Sequence, residues 1–154
     1  MQKYVKDAMI VLETWRRERD SLGDYAAAKE ALEKMEELQL CGGIYYVDEK
    51  PAAYTLGEEP GKEDSFVIHF EKAVGDYKGL YQFVNQSFAA IIPEKYKFIN
   101  REQDLGDEGL RQAKMTYMPV GFVKKYRAAV NAGVLTAAFE NMGKIEIAKG
   151  AALW

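Results

Sequence analysis

The sequence predicts one domain of the mixed α+β class. Its 154 residues fit a single domain of ordinary size, and 48% hydrophobic with 29% charged residues is a globular composition. Apolar residues recur at helical spacing over the first 40 residues and alternate as in strands from residue 44 onwards. Helical and strand patterns then follow each other, which predicts the order α-α-β-β-β-α-β-α-β and a tail.

Two helices are predicted at the start. The first carries its apolar positions at helical spacing: Val5, Met9, Leu12 and Trp15. Asp24 can cap the second helix, and Gly42-Gly43 is predicted to close it because glycine readily adopts the left-handed C-cap conformation.

Three strands are predicted next. A hairpin joins residues 44–47 to residues 52–56, and Ser65 to Glu71 forms an alternating strand after a polar loop. We expect Phe66, Ile68 and Phe70 on one face of that strand, and Val67, His69 and Glu71 on the other.

Proline and glycine residues mark the ends of the later predicted elements. The patterns predict a helix over Leu80 to Ile92, a strand over Tyr96 to Asn100, a helix over Glu108 to Met118 and a strand over Gly121 to Ala129. The helix that begins at Leu80 carries an apolar stripe of Leu80, Phe83, Val84, Phe88 and Ile91. We expect one domain over residues 1–130 and a tail over residues 131–154, with one helix and a short strand.

Composition and charge narrow the function classes. Lys and Arg total 21 against 24 Asp and Glu, a net charge of −3, which disfavours a dedicated nucleic-acid coat or membrane-surface binder. The single cysteine, Cys41, and the absence of an apolar leader indicate a cytoplasmic protein. No apolar run approaches the ~18–20 residues of a bilayer span, so we expect no stable membrane insertion. One histidine, His69, makes a His-rich metal site improbable, and no metal is predicted.

Several sequence stretches carry a family resemblance. They are Val67 to Lys72, Tyr77 to Gln82, Phe98 to Gly106, and Gly109 to Pro119 through Lys125-Tyr126; the motif Asn100-Arg101-Glu102-Gln103-Asp104-Leu105-Gly106 lies in the third. They resemble an uncharacterised bacterial family related to the C-terminal domain of phosphatidylglycerol lysyltransferase, within the acyl-CoA N-acyltransferase superfamily. The element order likewise resembles the GCN5-related N-acyltransferase (GNAT) fold, a central mixed sheet flanked by helices. The resemblance covers about residues 10–127, and it implies that this chain corresponds to the second of two tandem domains.

The resemblance implies a transferase. Its donor would be a thioester, acetyl-CoA or another acyl-CoA, or an aminoacyl-tRNA, and its acceptor an amine or a hydroxyl group. Glu71, Glu102 or Asp104 would take a proton, and Tyr117 would return one to the leaving group. The candidate binding residues are Lys72, Tyr77, Gly79, Tyr81, Asn85, Asn100, Arg101, Arg111, Lys114 and Lys125.

Each candidate also has a structural interpretation. Asp104 can cap a turn, Arg101 can brace the domain, and Glu71 with Lys72 can be a structural ion pair. Arg111 and Lys114 can form a solvated basic face, the tyrosines and His69 can be packing residues, Asn85 can be a local polar brace, and Cys41 is expected to be inert.

A second function stays open beside the transferase. The phosphate loop implied by the resemblance, residues 72–80, has few glycines and contains Asp76. This favours a non-catalytic module that pairs with another domain or senses an anionic small molecule. A homodimer could replace the missing sister domain.

Overall fold

The computed structural model describes residues 2–61, 64–75, 77–104 and 106–124. The range Met1–Tyr117 forms one compact unit, and the described residues of the second unit, 118–124, contain no helix or strand. The elements are α1 (Gln2–Arg17), α2 (Tyr25–Glu33), β1 (Cys41–Val47), β2 (Lys50–Glu58), β3 (Ser65–Ala73), α3 (Leu80–Ile91), β4 (Phe98–Asn100) and α4 (Glu108–Thr116). Up to α4, this is the predicted order.

The strands form one mixed sheet. Their order is β1-β2-β3-β4, antiparallel between the first three and parallel between β3 and β4. Helices α1 and α2 pack on one face against Tyr54 and Leu56, and α3 packs on the other face against Ala53 and Ala73. The predicted α+β class, a mixed sheet flanked by helices, is confirmed.

The parallel pairing of β3 with β4 is short. It joins Ser65, Phe66 and Val67 to the three residues of β4 and ends there. Beyond this point β3 continues to Ala73 with pairing on the β2 side only, among the described residues. The sheet therefore opens between β3 and the chain that leaves β4.

The faces of β3 change at His69. The adjacent β2 residues Leu56 and Gly57 pair with Phe70 and Ile68 of β3. His69 lies between those two β3 residues and has no pairing partner on β2, so it is the extra residue of a bulge. Phe66 and Ile68 consequently pack on α3, whereas Phe70 packs against the core of α1 and α2. The prediction that these three aromatic and aliphatic side chains share a face is wrong, because a β-bulge shifts the alternation.

The boundary between α2 and β1 also differs from the prediction. Helix α2 ends at Glu33 and β1 begins at Cys41, so Gly42-Gly43 lie in a strand and do not cap a helix. A Cβ atom on Gly42 would lie 1.9 Å from the carbonyl oxygen of Thr55. Glycine is required there because β1 approaches β2 closely, and not because of a helix end.

Two later predictions are also corrected. The strand expected over Gly121 to Ala129 is not found over its described part, residues 121–124, and the rest of it lies outside the described residues. On α3, Leu80, Val84 and Phe88 are buried, but Phe83 and Ile91 are exposed, so the apolar stripe is narrower than predicted. The predicted tail over residues 131–154 lies outside the described residues, and both domain boundaries stay predictions.

Within the part of the chain that the structure describes, no helix is long and apolar enough to cross a membrane.

Candidate functional site

A cleft of about 990 Å³ lies where β3 and β4 separate. Its walls come from the second half of β3, the start of α3, the loop after β4, helix α4, and the stretch from the end of α1 to Asp24. The predicted site residues that line it are Glu71, Lys72, Tyr77, Gly79, Tyr81, Arg101, Glu102, Asp104, Lys114 and Tyr117. Ligands of open α/β sheets commonly bind beyond the carboxyl ends of strands, which is where this cleft lies.

Three predicted residues stand apart from this cleft, and a fourth is not described. Asn85, Asn100 and Arg111 are not among its lining residues. Lys125 lies outside the described residues.

Glu71 and Arg101 form a partly buried ion pair in the cleft. Arg101 Nη2 donates to Glu71 Oε1 over 2.9 Å, with 20% and 9% of the two side chains exposed. Within the described residues, Glu71 Oε2 and Arg101 Nε and Nη1 are buried and have no hydrogen-bond partner. Burial raises the pKa of Glu71, and the nearby Arg101 opposes that rise. A carboxyl group with a raised pKa and an unpartnered oxygen is suited to proton transfer.

Tyr117 lies beneath this arginine. The guanidinium carbon of Arg101 is 4.7 Å from the centroid of the Tyr117 ring, a cation–π contact. Burial raises the pKa of Tyr117, and the nearby Arg101 opposes that rise.

The loop after β4 is held by its own polar side chains. Asn100 Oδ1 accepts from the backbone N–H of Glu102 over 2.9 Å. Arg111 donates to both carboxylate oxygens of Asp104 over 2.8 and 3.1 Å, and Gly106 N donates to the same group. The Arg111 guanidinium, aided by Gly106, lowers the pKa of Asp104 to about 2. So acidic a carboxyl is a weak base, and these contacts favour the bracing interpretation of Asp104 and Arg111.

Lys114 ties this loop to α4. Its Nζ donates to the carbonyl oxygens of Arg101, Glu102 and Gln103 over 2.6, 3.3 and 2.9 Å. Burial lowers the pKa of Lys114. Because three carbonyl groups surround its ammonium group, Lys114 positions the loop that carries Arg101.

Lys72 follows Glu71 directly, and the strand alternation turns it to the other face of the sheet. Its Nζ lies 2.6 and 2.7 Å from the two carboxylate oxygens of Asp24 and 4.1 Å from the centroid of the Trp15 ring. Burial lowers the pKa of Lys72, while Asp24 opposes the change. The contacts favour a structural ion pair between β3 and the start of α2, where the Asp24 side chain makes no capping bond within the described part of the chain.

The start of α3 closes one end of the cleft. Gly79 occupies the N-cap position with a left-handed φ of 80°, and no side chain caps the helix among the described residues. Tyr81 is the second residue of α3, and its hydroxyl accepts from the backbone N–H of Ala73 over 3.2 Å. Tyr77 is exposed on the cleft wall. Tyr81 therefore satisfies the end of β3. The N–H group of Leu80, the first residue of the helix, donates to the carbonyl oxygen of Tyr77 over 3.1 Å and is already engaged.

His69 makes a bridge that sequence reasoning missed. Its Nδ1 lies 2.9 Å from Glu102 Oε1 and its Nε2 lies 3.0 Å from Glu58 Oε1. The Glu102 carboxylate, more than that of Glu58, raises the pKa of His69. The bridge joins β2, the bulge of β3 and the loop after β4. The sequence signal was a histidine on a strand face. Its two partners could not be predicted, because they lie far away along the chain.

Across the described ranges, no group of three or more His, Cys, Asp or Glu side chains could hold a metal ion.

The order of the strands and the position of the cleft are those of the GNAT acetyltransferase fold. The structure is similar to that of ribosomal-protein-alanine N-acetyltransferase from Brucella melitensis biovar Abortus 2308, with a TM-score of 0.59 and 12% identity over 83% of this chain and 94% of that one. A possible acetyltransferase from Clostridium difficile 630 gives a TM-score of 0.57 and 13% identity over 82% and 93%. Identities this low show the fold alone.

The chain belongs to the family described as phosphatidylglycerol lysyltransferase, C-terminal, whose model matches residues 2–129. A conserved protein of unknown function from Bacteroides thetaiotaomicron VPI-5482 is 37% identical, with a TM-score of 0.71, over 79% of this chain and 43% of that one. This chain therefore spans less than half the length of that relative. No curated protein sequence matches it. The family resemblance predicted from the motifs is confirmed.

Proposed function

We propose that this chain is an acyltransferase domain that moves an acyl or aminoacyl group to an amine or hydroxyl acceptor. The donor is a thioester such as acetyl-CoA, or an aminoacyl-tRNA. The observation that carries the proposal is Glu71, which lines the cleft between β3 and β4 and has a buried carboxyl oxygen without a hydrogen-bond partner among the described residues. Family membership and the acetyltransferase-like fold support the reaction class.

The donor is proposed to lie along the open edge of β3 with its phosphates at the start of α3. Both donor types carry phosphate groups, and the first N–H groups of a helix together with its dipole attract anions. The N-cap glycine, Gly79, leaves that approach unobstructed, because a Cβ there would meet no atom within 4 Å among the described residues. The edge of β3 beyond Val67 offers backbone N–H groups for an extended donor or for an oxyanion.

The reaction is a direct displacement at the donor carbonyl carbon. Glu71 takes a proton from the attacking amine or hydroxyl, the new C–N or C–O bond forms, and the bond from the carbonyl carbon to the donor sulfur or oxygen breaks. Tyr117 gives its proton to the departing thiolate or alkoxide, and the proton held by Glu71 returns to Tyr117 through solvent. Protons and electron pairs then balance, and no metal is required.

Calorimetric titration of the folded protein with acetyl-CoA and with a mixed aminoacyl-tRNA pool tests the donor. We expect one of the two to bind, and Glu71→Gln to bind it with similar affinity because Glu71 is proposed to act on the acceptor. An absence of binding for both donors, in protein shown by circular dichroism to be folded, contradicts the proposal.

A non-catalytic module is the second candidate function. It is favoured by the engagement of Asp104 with Arg111 and of Lys114 with backbone carbonyl groups, because these polar groups then serve the architecture of the loop. Alanine at Arg101, Asp104 and Arg111 separates the two candidates. Unchanged ligand binding and unchanged activity in these variants would favour the module.

Assembly is a separate proposal. A homodimer would cover the surface that the sister domain implied by the family resemblance would cover, and light scattering measures the oligomeric state directly. A clean monomer at high protein concentration would contradict it.

A further inference from the structure

We infer that the acceptor is a free α-amino acid, held as a zwitterion by Glu71 and Arg101. In this arrangement Glu71 Oε2 accepts from the α-ammonium group, and Arg101 Nε or Nη1 donates to the α-carboxylate. The inference deepens the proposed function, because it names the class of acceptor, and therefore rests on it.

The first argument is the hydrogen-bonding capacity that the ion pair leaves unused. A carboxylate and a guanidinium group commonly meet through two parallel hydrogen bonds, but here a single one joins Nη2 to Oε1. One carboxylate oxygen and two guanidinium nitrogens stay buried without a partner among the described residues. Buried polar groups in folded proteins are almost always hydrogen-bonded, so a ligand that satisfies both sides fits this site.

The second argument is charge. A simple anion bound to Arg101 would also meet the Glu71 carboxylate, whose nearer oxygen is 2.9 Å from the guanidinium. A simple cation bound to Glu71 would meet the guanidinium in the same way. A ligand with adjacent positive and negative groups meets an opposite charge on each side, and charge-assisted hydrogen bonds are about twice as strong as neutral ones. An α-amino acid carries these groups one carbon atom apart.

The third argument is that the neighbouring lysines do not compete for the carboxylate. Lys114 already donates to three backbone carbonyl groups, and Lys72 is bound to Asp24. Within the described part of the cleft, Arg101 is thus the cation with unused donors closest to Glu71. The guanidinium carbon of Arg101 also lies 4.7 Å from the centroid of the Tyr117 ring, a contact that restricts where the guanidinium group lies.

The same placement serves the transfer step. The α-ammonium group loses one proton to Glu71 and becomes a nucleophile, and its nitrogen attacks the donor carbonyl carbon. The nitrogen loses a second proton as the C–N bond forms, and the donor thiolate accepts one proton as the C–S bond breaks. The products are an N-acyl amino acid, a free thiol and one proton released to solvent.

The test is calorimetric titration of the wild-type protein with each of the common L-amino acids. The tightest amino acid is then compared with its decarboxylated amine and with its 2-hydroxy acid, which each lack one charged group. We expect each analogue to bind at least about tenfold more weakly, which is about 1.4 kcal/mol. Analogues tested on the wild-type protein avoid any effect of a substitution on folding.

Variants locate the site. Arg101→Gln and Glu71→Gln should each weaken binding of that amino acid by about tenfold or more. Lys34→Gln and Glu30→Gln are the matched controls, because each removes the same charge as the corresponding site variant. They alter an exposed ion pair at the end of α2 and should leave binding unchanged. The inference is overturned if no amino acid binds, if the amine binds as tightly as the amino acid, or if Arg101→Gln binds normally.

A parallel titration with the two donors separates this inference from the proposed function. Donor binding without amino-acid binding overturns the inference and leaves acyl transfer standing. Amino-acid binding that depends on Arg101, without binding of either donor, supports the assigned pocket and counts against acyl transfer.

Discussion

The ion pair between Lys72 and Asp24 leads to an asymmetric prediction for stability. The Lys72 side chain is 8% exposed and that of Asp24 is 37% exposed. Deleting one partner of a buried pair costs about 3–5 kcal/mol when the other charge stays buried. Asp24→Asn leaves the Lys72 ammonium without its carboxylate, although water reaches the Asp24 side, so we expect a loss of about 2 kcal/mol.

Replacing the other partner, Lys72, should reduce the free energy of unfolding by less. Lys72→Met keeps an unbranched side chain against Trp15 and leaves a carboxylate that water can hydrate, so we expect about 0–1 kcal/mol. The double variant Asp24→Asn/Lys72→Met should match Lys72→Met within about 0.5 kcal/mol, because no buried charge is left.

Urea unfolding followed by circular dichroism measures all three variants. The expected loss for Asp24→Asn corresponds to a fall in Tm of about 4–8 °C. A larger loss for Lys72→Met than for Asp24→Asn would refute the reasoning, because it would mean that the carboxylate, and not the ammonium group, is the buried charge.

Three further predictions concern the bulge, the sheet and the loop after β4. His69 has a raised pKa in the folded state, so its contribution to stability is full below the ordinary value of 6.5 and is lost as pH rises through the raised pKa. The free energy of unfolding should therefore differ more between wild type and His69→Gln at pH 6 than at pH 8.5. A difference in urea unfolding that does not change with pH would contradict this prediction. Gly57→Ala should destabilise by about 2 kcal/mol or more, since the new Cβ would lie 2.1 Å from a carbonyl oxygen of β3, and an unchanged Tm would show that the strands separate easily. Lys114→Met should speed hydrogen exchange in residues 101–104 while leaving β2 protected, and unchanged exchange there would mean that other contacts hold the loop.

The order of elements could be predicted because helical and strand periodicities in this chain rarely conflict. The boundary at Gly42-Gly43 was an exception, because the sequence there predicted a different element from the one observed. Gly42-Gly43 after an amphipathic run looks like a helix C-cap, yet the close approach of β1 to β2 is a tertiary contact that no local pattern reveals. The bulge at His69 is equally hidden, because it depends on the register with β2.

Sequence reasoning could bring most of the predicted site residues to one cleft, but it could not give their contacts, and their roles stay predictions. The motif after β4 and the end of β3 do meet at one cleft. The partner of each charge depends on strand alternation, which gives Glu71 to Arg101 and Lys72 to Asp24. It also depends on the path of the loop, which engages Lys114 with carbonyl groups and Asp104 with Arg111. These partners lie far apart in sequence or on a loop whose course only the folded chain defines.

The central claim is that Glu71 takes the proton in an acyl transfer at the β3–β4 cleft. The direct measurement is the rate of transfer from the donor that binds to a pool of amines and hydroxyl compounds, for wild type and for Glu71→Gln, across pH. We predict a loss of about 10²–10⁴-fold in Glu71→Gln, and a wild-type rate that falls at acid pH with a midpoint above the ordinary carboxyl pKa of 4.5, because the base must be ionised and burial raises its pKa. Transfer by Glu71→Gln at the wild-type rate, or no transfer by folded wild-type protein, would contradict the account.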